Sequence, residues 1–409
     1  MRICIVTNEP FPQSIRLEKE IRTFQELGYE IHVVCFAEEG QPIEDVVSGT
    51  AVHRIRRLSG HVSKLSSLIY KIVFINIQVL RKLWLVIKQY DVHVLFVRDI
   101  SFVLTACLLG KLHGSKVIYD VNDRYPLAMN AWGHRRSWNE KILMNTWRMT
   151  RLESRCVKAV DHIVVANPPY VDYFIKTGIS EEKITLLPNY VDLSYIDELA
   201  HDPLRDRVVT LSPCFKILYS GAFGRHRGLD IAIKMMPLLI KQIPDVRLVI
   251  IGPISPGEES IRQELEELAK QLNITENVVF TGPLEFEEML SYLNLSDICL
   301  IPFKRNSHTD TIVPHKLFEY MSQAKPVVTT NVKAVRQIVD SEKCGIVVSA
   351  ENPLEMAEAT VMLYNNPSYA AELGKQGRKA VETKYSWRRG ATAFSEVLHR
   401  LEDTCRLGE

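Results

Sequence analysis

A lysine and a glutamate three residues apart lie in an otherwise apolar stretch, and together they suit a ligand that carries both phosphates and hydroxyls. They are Lys316 and Glu319, within DTIVPHKLFEYMSQAKPVVT at residues 310–329. The apolar residues around them form one face of a helix, and Pro314 suits its first turn. Free N–H groups at the helix start attract an anion, with Lys316 beside them. Glu319, further along, can accept hydrogen bonds from both hydroxyls of a ribose. This combination predicts a nucleotide site.

The residues alone leave a second interpretation of this helix open. Glu319 is then a half-exposed helix acid and Lys316 is its solvated neighbour, as on many surface helices. In the nucleotide interpretation, the chain leading into the helix lies against the phosphates. Four residues of that segment become donor-side candidates: Thr311, Ile312, Val313 and Pro314.

Apolar strands that alternate with helices must position this helix. In the first half, RICIVT is followed by a helix from Ile15 to Leu27, which Gly28 ends, and then by the strand EIHVVCF. The second half repeats the alternation from FKILYSG to GIVVS, with helices predicted at about 229–242, 258–272, 285–294, 315–323, 333–339 and 353–365. This order predicts an α/β fold with doubly wound parallel sheets, which bind ligands at the carboxyl ends of their strands.

The length of the chain favours two domains. At 409 residues, with 46% hydrophobic and 24% charged residues, it is too long for one core. We predict an N-terminal domain at 1–193, a linker at 194–213, a second domain at 214–386 and a last helix at about 387–409. The net charge of +1 does not suggest nucleic acid as a partner. The eight cysteines lack metal-like spacing and the first residues offer no secretory signal, so we expect a reduced, cytoplasmic protein.

The helix motif resembles a known family. P-x-K-x-x-E-Y-M followed by K-P-V-V is similar to the donor-site helix of the retaining glycosyltransferases of family 4, also called glycosyl transferases group 1. That family usually carries two glutamates in this region. Here the second is Glu319, and Thr311 stands at the position of the first.

A glycine-rich loop, YSGAFGRHRGLD, resembles the family loop beside the diphosphate. Gly221 and Gly224 let the backbone approach a ligand, and Arg225 and Arg227 supply positive charge. Arg227 stands where the family has a lysine. Arg225 is a candidate to compensate for the family arginine that Ala222 replaces. Taken alone, the loop is equally well explained as a tight turn with solvated arginines.

Two segments of the first half resemble further family motifs. In YDVNDRYP, Asn122 or Asp123 falls where a histidine facing the donor sugar is often seen. LPNYVDL resembles a hinge signature in which Tyr190 replaces glycine. Arg16 is a candidate for the acceptor or diphosphate side, although ordinary helix surface is the favoured interpretation. Asp120 and Asp123 are too isolated for a metal pair, so we expect no metal site.

The resemblance implies a GT-B architecture, in which two Rossmann-like domains face each other and a C-terminal helix crosses back to the first. It implies a retaining enzyme that moves a hexosyl or N-acetylhexosaminyl group from a nucleotide sugar to an acceptor in surface polysaccharide, lipopolysaccharide or glycolipid assembly. UDP-sugars are the favoured donors, and no further cofactor is expected. The alternatives are a sugar-nucleotide epimerase of the same fold and a non-catalytic partner subunit, the latter suggested by Thr311 and Ala222.

One stretch outside these motifs, residues 46–90, combines an apolar helix with positive charge. It contains no acid and eight bases: Arg54, Arg56, Arg57, Lys64, Lys71, Arg81, Lys82 and Lys88. The embedded cations argue against a membrane-spanning helix, because each is costly at the bilayer centre. Two interpretations remain: a buried helix that covers the sheet, or an interfacial helix on anionic lipid with Trp84 and Tyr70 near the headgroups. The second predicts a peripheral protein on the inner face of the membrane.

Overall fold

The computed structural model describes residues 1–9, 11–12, 15–57, 70–127, 145–199, 214–255 and 257–406. These residues form two compact α/β units. The first contains the described residues up to 188 together with those from 390 onward, and the second contains residues 189–389.

The first unit is built on an eight-stranded sheet. Its strands are β1 (Arg2–Val6), β2 (Glu30–Phe36), β3 (Glu44–Val47), β4 (Thr50–Ile55), β5 (Val94–Val97), β6 (Lys116–Val121), β7 (His162–Val165) and β8 (Ile184–Leu186). They lie in the order β3-β4-β2-β1-β5-β6-β7-β8. All neighbours are parallel except β3 and β4, which form a hairpin around Ser48 and Gly49. The order in which strands are added to the sheet reverses between β1 and β5, as in a doubly wound fold.

The helices described between its strands are α1 (Ile15–Glu26), α2 (Ile77–Tyr90), α3 (Ile100–His113), α4 (Thr146–Ala159) and α5 (Pro168–Lys176). The Asn76 side chain caps α2 by accepting from the N–H groups of Gln78 and Val79. Gly114 ends α3 with a φ of 77°, a conformation that favours glycine. Helix α3 packs between α2 and α4, so these three helices form one layer.

The second unit has six parallel strands. In chain order its elements are α6 (Leu193–Leu199), β9 (Lys216–Ser220), α7 (Leu229–Ile240), β10 (Arg247–Ile251), α8 (Ile261–Gln271), β11 (Val278–Gly282), α9 (Phe286–Leu295), β12 (Ile298–Ile301), α10 (His315–Ser322), β13 (Val327–Thr330), α11 (Lys333–Glu342), β14 (Gly345–Val348), α12 (Pro353–Asn365) and α13 (Pro367–Thr383). The strand order is β11-β10-β9-β12-β13-β14, with the reversal between β9 and β12. Its core includes the buried strand residues of β9 and β10 and the apolar faces of α7 and α12.

The last helix, α14 (Trp387–Arg406), packs on the first unit, as the family resemblance implied. The Phe394 ring lies 5.6 Å from the ring of Phe24 on α1 and 5.7 Å from that of Phe96 on β5. The Tyr29 hydroxyl donates to Glu402 at 3.3 Å. The described part of α14 therefore contacts α1 and β5 of the first unit.

Parts of the predicted organisation need correction. Residues 194–199 of the predicted linker belong to α6, which is part of the second unit, and residues 200–213 lie outside the described residues. Helix α13 and strand β3 were not predicted. The seven cysteines whose side chains are described are free thiols. No helix in the described part of the chain has the length and hydropathy needed to cross a membrane.

Candidate functional site

The carboxyl ends of β9 and β12 form the point where the strand order of the second sheet reverses. In doubly wound sheets, ligands bind in the crevice at such a reversal. Ser220 and Gly221 end β9, and Phe303 follows β12. Helix α10, which carries Lys316 and Glu319, follows the loop after β12. The fold therefore brings the glycine-rich loop and the predicted helix to one edge of the sheet.

Lys316 is buried at this edge. Its Nζ atom lies 3.5 Å from the centroid of the Tyr219 ring and 5.6 Å from that of Phe303. Among the described residues, Nζ has no hydrogen-bond partner. Burial is the main cause that lowers its pKa well below the ordinary value of lysine, and the charge of Arg227 lowers it further, whereas Glu319 opposes the shift. The site thus holds a buried amine whose charged form has no counterion in contact among the described residues.

Arg227 supplies a second cation beside the same ring. It lies in a one-turn 3-10 helix, Arg225–Arg227, and its guanidinium carbon is 4.9 Å from the centroid of Phe303. Its Nε atom is buried and makes no hydrogen bond to the part of the chain that is described. Phe303 therefore has a cation on its ring from each of two elements, an arrangement that the ring quadrupole favours.

Arg225 has different partners. Its Nη2 atom donates to Glu264 on α8 at 2.6 Å, and both side chains are about half exposed. Its backbone N–H donates to Glu258 at 2.7 Å. The guanidinium of Arg225 therefore pairs with a residue of α8. It does not lie with Lys316 and Phe303, as it would if it compensated for the missing family arginine.

Glu319 and the neighbouring tyrosine are buried, and the tyrosine fixes the helix to the sheet. Glu319 is 7% exposed and Lys316 is 6% exposed, so the alternative of a solvated surface pair is wrong. The Tyr320 hydroxyl accepts from the backbone N–H of Ser220 at 2.8 Å and lies 3.2 Å from its Oγ. This contact holds α10 against the end of β9, which places Lys316 over Tyr219.

The glycines of the loop differ from one another in backbone conformation and in the atoms that they contact. Gly221 has a φ of 129° and lies against the end of the Lys316 side chain. Gly228 has a φ of 70°, and a side chain there would collide with the carbonyl oxygen of Pro302. Gly224 is extended, with a φ of −161°, and packs near His226. The loop can therefore approach β12 closely.

The segment before α10 differs in one detail from the prediction. Pro314 precedes the helix as its N-cap residue, with φ −75° and ψ 148°, and does not lie in the first turn. Ile312 and Val313 are buried. The Thr311 hydroxyl donates to the carbonyl of His308 at 2.9 Å, so it stabilises its own loop.

Sequence reasoning missed a pair of histidines at this edge. The rings of His226 and His308 are buried, with centroids 5.9 Å apart. Burial, followed by the charges of Arg227, His308 and Lys316, lowers the pKa of His226 to about 3, so its ring is neutral at physiological pH. The position of His226 between two arginines in the sequence was a usable signal.

In the first unit, Asn122 and Asp123 follow β6. Asp123 is exposed, and Asn122 is half-buried. The Asn122 backbone carbonyl accepts from Asn167 at 3.3 Å. Its side-chain Oδ1 is buried and makes no hydrogen bond to any described residue. Asn122 thus offers an unused acceptor at the carboxyl edge of this sheet.

Arg16 is not on the helix surface, so that preferred interpretation is wrong. It is 3% exposed and donates to the carbonyl of Leu187 at 2.8 Å and to Asp120 at 3.0 Å. Its Nε lies 2.9 Å from Glu20, and Arg98 adds contacts to both acids at 3.4–3.5 Å. Asp120 is therefore not isolated, as the sequence suggested, but belongs to a buried ionic cluster.

The acids of this cluster lie against the two arginines. No group of three or more histidine, cysteine or acidic side chains suited to a metal occurs within the described ranges. Desolvation is the largest cause that raises the pKa of Glu20 to about 7, and Asp120 adds to it, while both arginines oppose the shift. The cluster joins α1, β5, β6 and the end of β8.

Comparisons with known proteins agree with this geometry. The family model for Glycosyltransferase Family 4 matches residues 15–195, and the model for Glycosyl transferases group 1 matches residues 208–380. Together the two matches span most of the chain, one in each unit.

Individual relatives are distant. A D-inositol 3-phosphate glycosyltransferase of Xylanimonas cellulosilytica is 26% identical over 320 residues, which cover 71% of this chain and 74% of the relative. An alpha-galactosylglucosyldiacylglycerol synthase of Streptococcus pneumoniae is 24% identical over 230 residues, or 56% of this chain and 58% of the relative. The crystal structure of HepE from Anabaena in complex with UDP-glucose is similar with a TM-score of 0.72 at 13% identity, and the match covers 98% of this chain and 100% of that one.

Two parallel-sheet units, the C-terminal helix on the first of them and the matching structures define the GT-B fold. The chain belongs to glycosyltransferase family 4.

Proposed function

We propose that this protein transfers a hexosyl or N-acetylhexosaminyl group, with retention of configuration, from a nucleotide sugar to an acceptor in glycan or glycolipid assembly. One observation carries the proposal: Lys316 and Arg227 flank Phe303 at the carboxyl edge of the second sheet, with Glu319 on the same helix as Lys316.

The two cations suit a diphosphate leaving group. A buried charge without a counterion is unfavourable, and an anion beside Lys316 removes that cost. As the sugar–phosphate bond breaks, negative charge grows on the diphosphate. Cations that are already in place stabilise this charge more in the transition state than in the ground state. Lys316 and Arg227 therefore act mainly on the rate of transfer.

Glu319 is the proposed ligand of the ribose. A buried carboxylate can accept hydrogen bonds from both ribose hydroxyls, and such bonds to a charged acceptor are strong. The UDP-glucose complex of HepE supports UDP-sugars as the first donors to test. The loop 311–314 lies next to this helix and would line the same site.

The acceptor is proposed to bind to the first unit. The unused Oδ1 of Asn122 can orient a sugar hydroxyl, and exposed Asp123 lies beside it in the chain. Retention follows from front-side attack, in which an oxygen of the leaving diphosphate accepts the proton of the acceptor hydroxyl. No separate general base is then required of the protein.

A lipid-linked acceptor at the inner face of the membrane is part of this proposal. The relative from Streptococcus pneumoniae, whose name describes a glycolipid synthase, supports a lipid as acceptor or carrier. A protein without a described membrane-spanning helix would then reach its substrate from the membrane surface.

Calorimetric titration of the purified protein tests the nucleotide assignment. UDP, GDP, ADP and their sugars are compared, first with the wild type and then with Glu319→Gln. The substitution keeps size but removes the charged acceptor, so donor binding weakens by roughly 1.5 to 3 kcal/mol. Glu358→Gln, on the exposed side of α12, is the matched control and leaves the affinity unchanged.

Product analysis separates the alternatives. Isomerised nucleotide sugar without transfer would select an epimerase, and absence of binding to every nucleotide would select a non-catalytic subunit. Equal donor affinity in Glu319→Gln and the wild type would overturn the ribose assignment. The anomeric configuration of the product, read by NMR, decides between retention and inversion.

A further inference from the structure

The layer of α2, α3 and α4 exposes an unusual amount of apolar side chain. Half of the large apolar residues that are exposed in the described part of the chain lie on these helices or just before α2: Ile72, Val73, Ile77, Trp84, Leu85, Leu108, Leu112 and Trp147. Leu112 and Trp147 are the most open, at 69% and 62% exposed. A concentration of this kind marks an interaction surface more often than chance exposure does.

Helical periodicity places the exposed residues of α2 on one face. Ile77, Arg81, Trp84, Leu85 and Lys88 are all exposed, and they recur at the spacing of a single helix stripe. The opposite stripe is buried on the sheet: Val79, Leu83, Val86 and Ile87. The helix therefore has two different faces. One is apolar and packs on the core, and the other mixes apolar and basic side chains and is exposed to solvent.

Helices α3 and α4 continue this surface. On α3, Leu108, Lys111 and Leu112 are exposed within one turn. On α4, an exposed stripe carries Trp147, Arg151, Arg155 and Lys158. We call the exposed side chains of α2, α3 and α4, with Ile72 and Val73, the three-helix face.

The two tryptophans of the three-helix face each carry a cation on their ring. The Lys88 Nζ lies 4.5 Å from the Trp84 ring, and the Arg151 guanidinium carbon lies 4.0 Å from the Trp147 ring. A tryptophan paired with a base suits the headgroup level of a bilayer, where an apolar ring and a charged group are both solvated favourably.

No exposed acid lies on the three helices themselves. Their single acidic residue, Glu153 on α4, is 1% exposed and accepts from Arg124 at 2.8 Å. The exposed side chains of the face thus include apolar residues and bases but no acid. Such a pattern complements an anionic surface, and a lipid headgroup layer supplies both that charge and an apolar interior.

We propose that the three-helix face docks on an anionic lipid bilayer. This inference extends the proposed function. Only the purpose of docking, which is access to a lipid-linked acceptor, depends on that proposed function. It also corrects the predicted segment. Arg54 is buried and bonded to Asp45 at 2.9 Å, Lys82 is paired with Glu44, and Lys64 lies outside the described residues. Helices α3 and α4 supply bases that residues 46–90 do not contain.

Vesicle sedimentation with the full chain tests this docking. Wild-type protein is expected to pellet with vesicles of phosphatidylcholine containing phosphatidylglycerol, and not with phosphatidylcholine alone. One base near an anionic surface changes binding about fivefold. A variant with Lys111→Gln, Arg151→Gln, Arg155→Gln and Lys158→Gln therefore loses at least about tenfold in partitioning. A second variant, Leu112→Ser with Trp147→Ser, keeps the charge of the face. It is expected to lose vesicle binding at constant salt, because apolar contact with the bilayer is lost.

The matched control removes the same charge from the other unit. Lys241, Lys270, Lys375 and Lys379 are exposed there, and their replacement by Gln leaves vesicle binding as in the wild type. Hydrolysis of a soluble donor is measured for every variant. Retained hydrolysis without vesicle binding by the wild type would overturn the docking alone, whereas vesicle binding without hydrolysis would count against the proposed function.

Two further outcomes would also overturn the lipid assignment. Equal pelleting of the control and both face variants would mean that charge and apolar contact at this face are irrelevant. A wild type that ignores vesicles but forms dimers, which Leu112→Ser with Trp147→Ser dissociates, would make the face an interface between two copies of the chain.

Discussion

A methyl group on Gly221 would lie 2.5 Å from the Nζ atom of Lys316. A side chain at this position would therefore displace the end of Lys316. The φ of 129° at Gly221 is also a conformation that other residues rarely adopt. Glycine at this position therefore leaves room for the Nζ atom of Lys316 to lie over the Tyr219 ring.

We expect Gly221→Ala to move Lys316 and to weaken donor binding at least about tenfold, in addition to a strain of roughly 1 to 3 kcal/mol in stability. Gly282→Ala is the control, because Gly282 also has a positive φ, of 78°, but a side chain there meets its nearest atom only at 3.9 Å. Thermal unfolding and titration with UDP separate the two effects. Equal donor affinity in both variants would show that contact with Lys316 is unimportant.

Donor binding should take up protons. The pKa of Lys316 is well below its ordinary value in the free protein, and a diphosphate beside it raises that pKa again. Affinity therefore falls as pH rises through the raised pKa. Titration of UDP in buffers of different ionisation enthalpy measures the uptake, and Lys316→Met removes it. Uptake that persists in Lys316→Met would assign the proton to another group.

The two arginines of the loop should differ in effect. Arg227→Ala is expected to lower turnover by about 10² to 10³, because charge on the leaving diphosphate is greatest in the transition state. Arg225→Ala is the matched change two residues away, and its guanidinium pairs with Glu264 in solvent. Its turnover should stay within about twofold of the wild type. The reverse order would give the diphosphate role to Arg225.

Glu20→Gln should change how stability depends on pH. The pKa of Glu20 is raised to about 7 in the folded protein, above its value of 4.5 in a free chain. The folded state therefore holds a proton that the unfolded chain releases, and the free energy of unfolding falls as pH rises from about 4.5 to 7. Glutamine removes this fall.

Denaturant unfolding at pH 5 and pH 8 measures the effect of Glu20→Gln, expected to be about 2 kcal/mol in favour of the variant at pH 8 relative to pH 5. Glu26→Gln, an exposed change on the same helix, should show no such difference. A parallel pH profile for Glu20→Gln and the wild type would mean that Glu20 is ionised throughout this range.

The alternation of strands and helices was predictable because it depends on local patterns. Helix α12 spans Pro353–Asn365, as predicted, and Gly28 follows the helix that it was expected to end. Helix α6 was missed because its seven residues carry little periodicity within a polar segment. Strand β3 is also short, and its antiparallel pairing gives no signal in a chain that otherwise reads as parallel.

The chemistry of buried side chains was harder to predict, because their partners are distant in sequence. Arg16 has the spacing of a surface residue on α1, but Asp120, which bonds it, lies on β6. The prediction of Lys316 and Glu319 succeeded in placing both on one helix, and the contact with Tyr219 needed the fold. The neutral state of His226 likewise follows from burial and from neighbours on two other elements.

An aromatic trio on the other side of α10 has a mechanical consequence. The Phe318 ring lies 5.0 Å from that of Tyr190 and 5.3 Å from that of Tyr385, and these two lie 5.3 Å apart. Tyr190, which stands where the family has glycine, is near the start of the second unit, and Tyr385 is near its end. The backbone N–H of Trp387 also donates to Val191 at 2.8 Å. Helix α10 is therefore packed directly against both ends of the chain segment that forms the second unit, so a shift of this helix would change the packing of both ends.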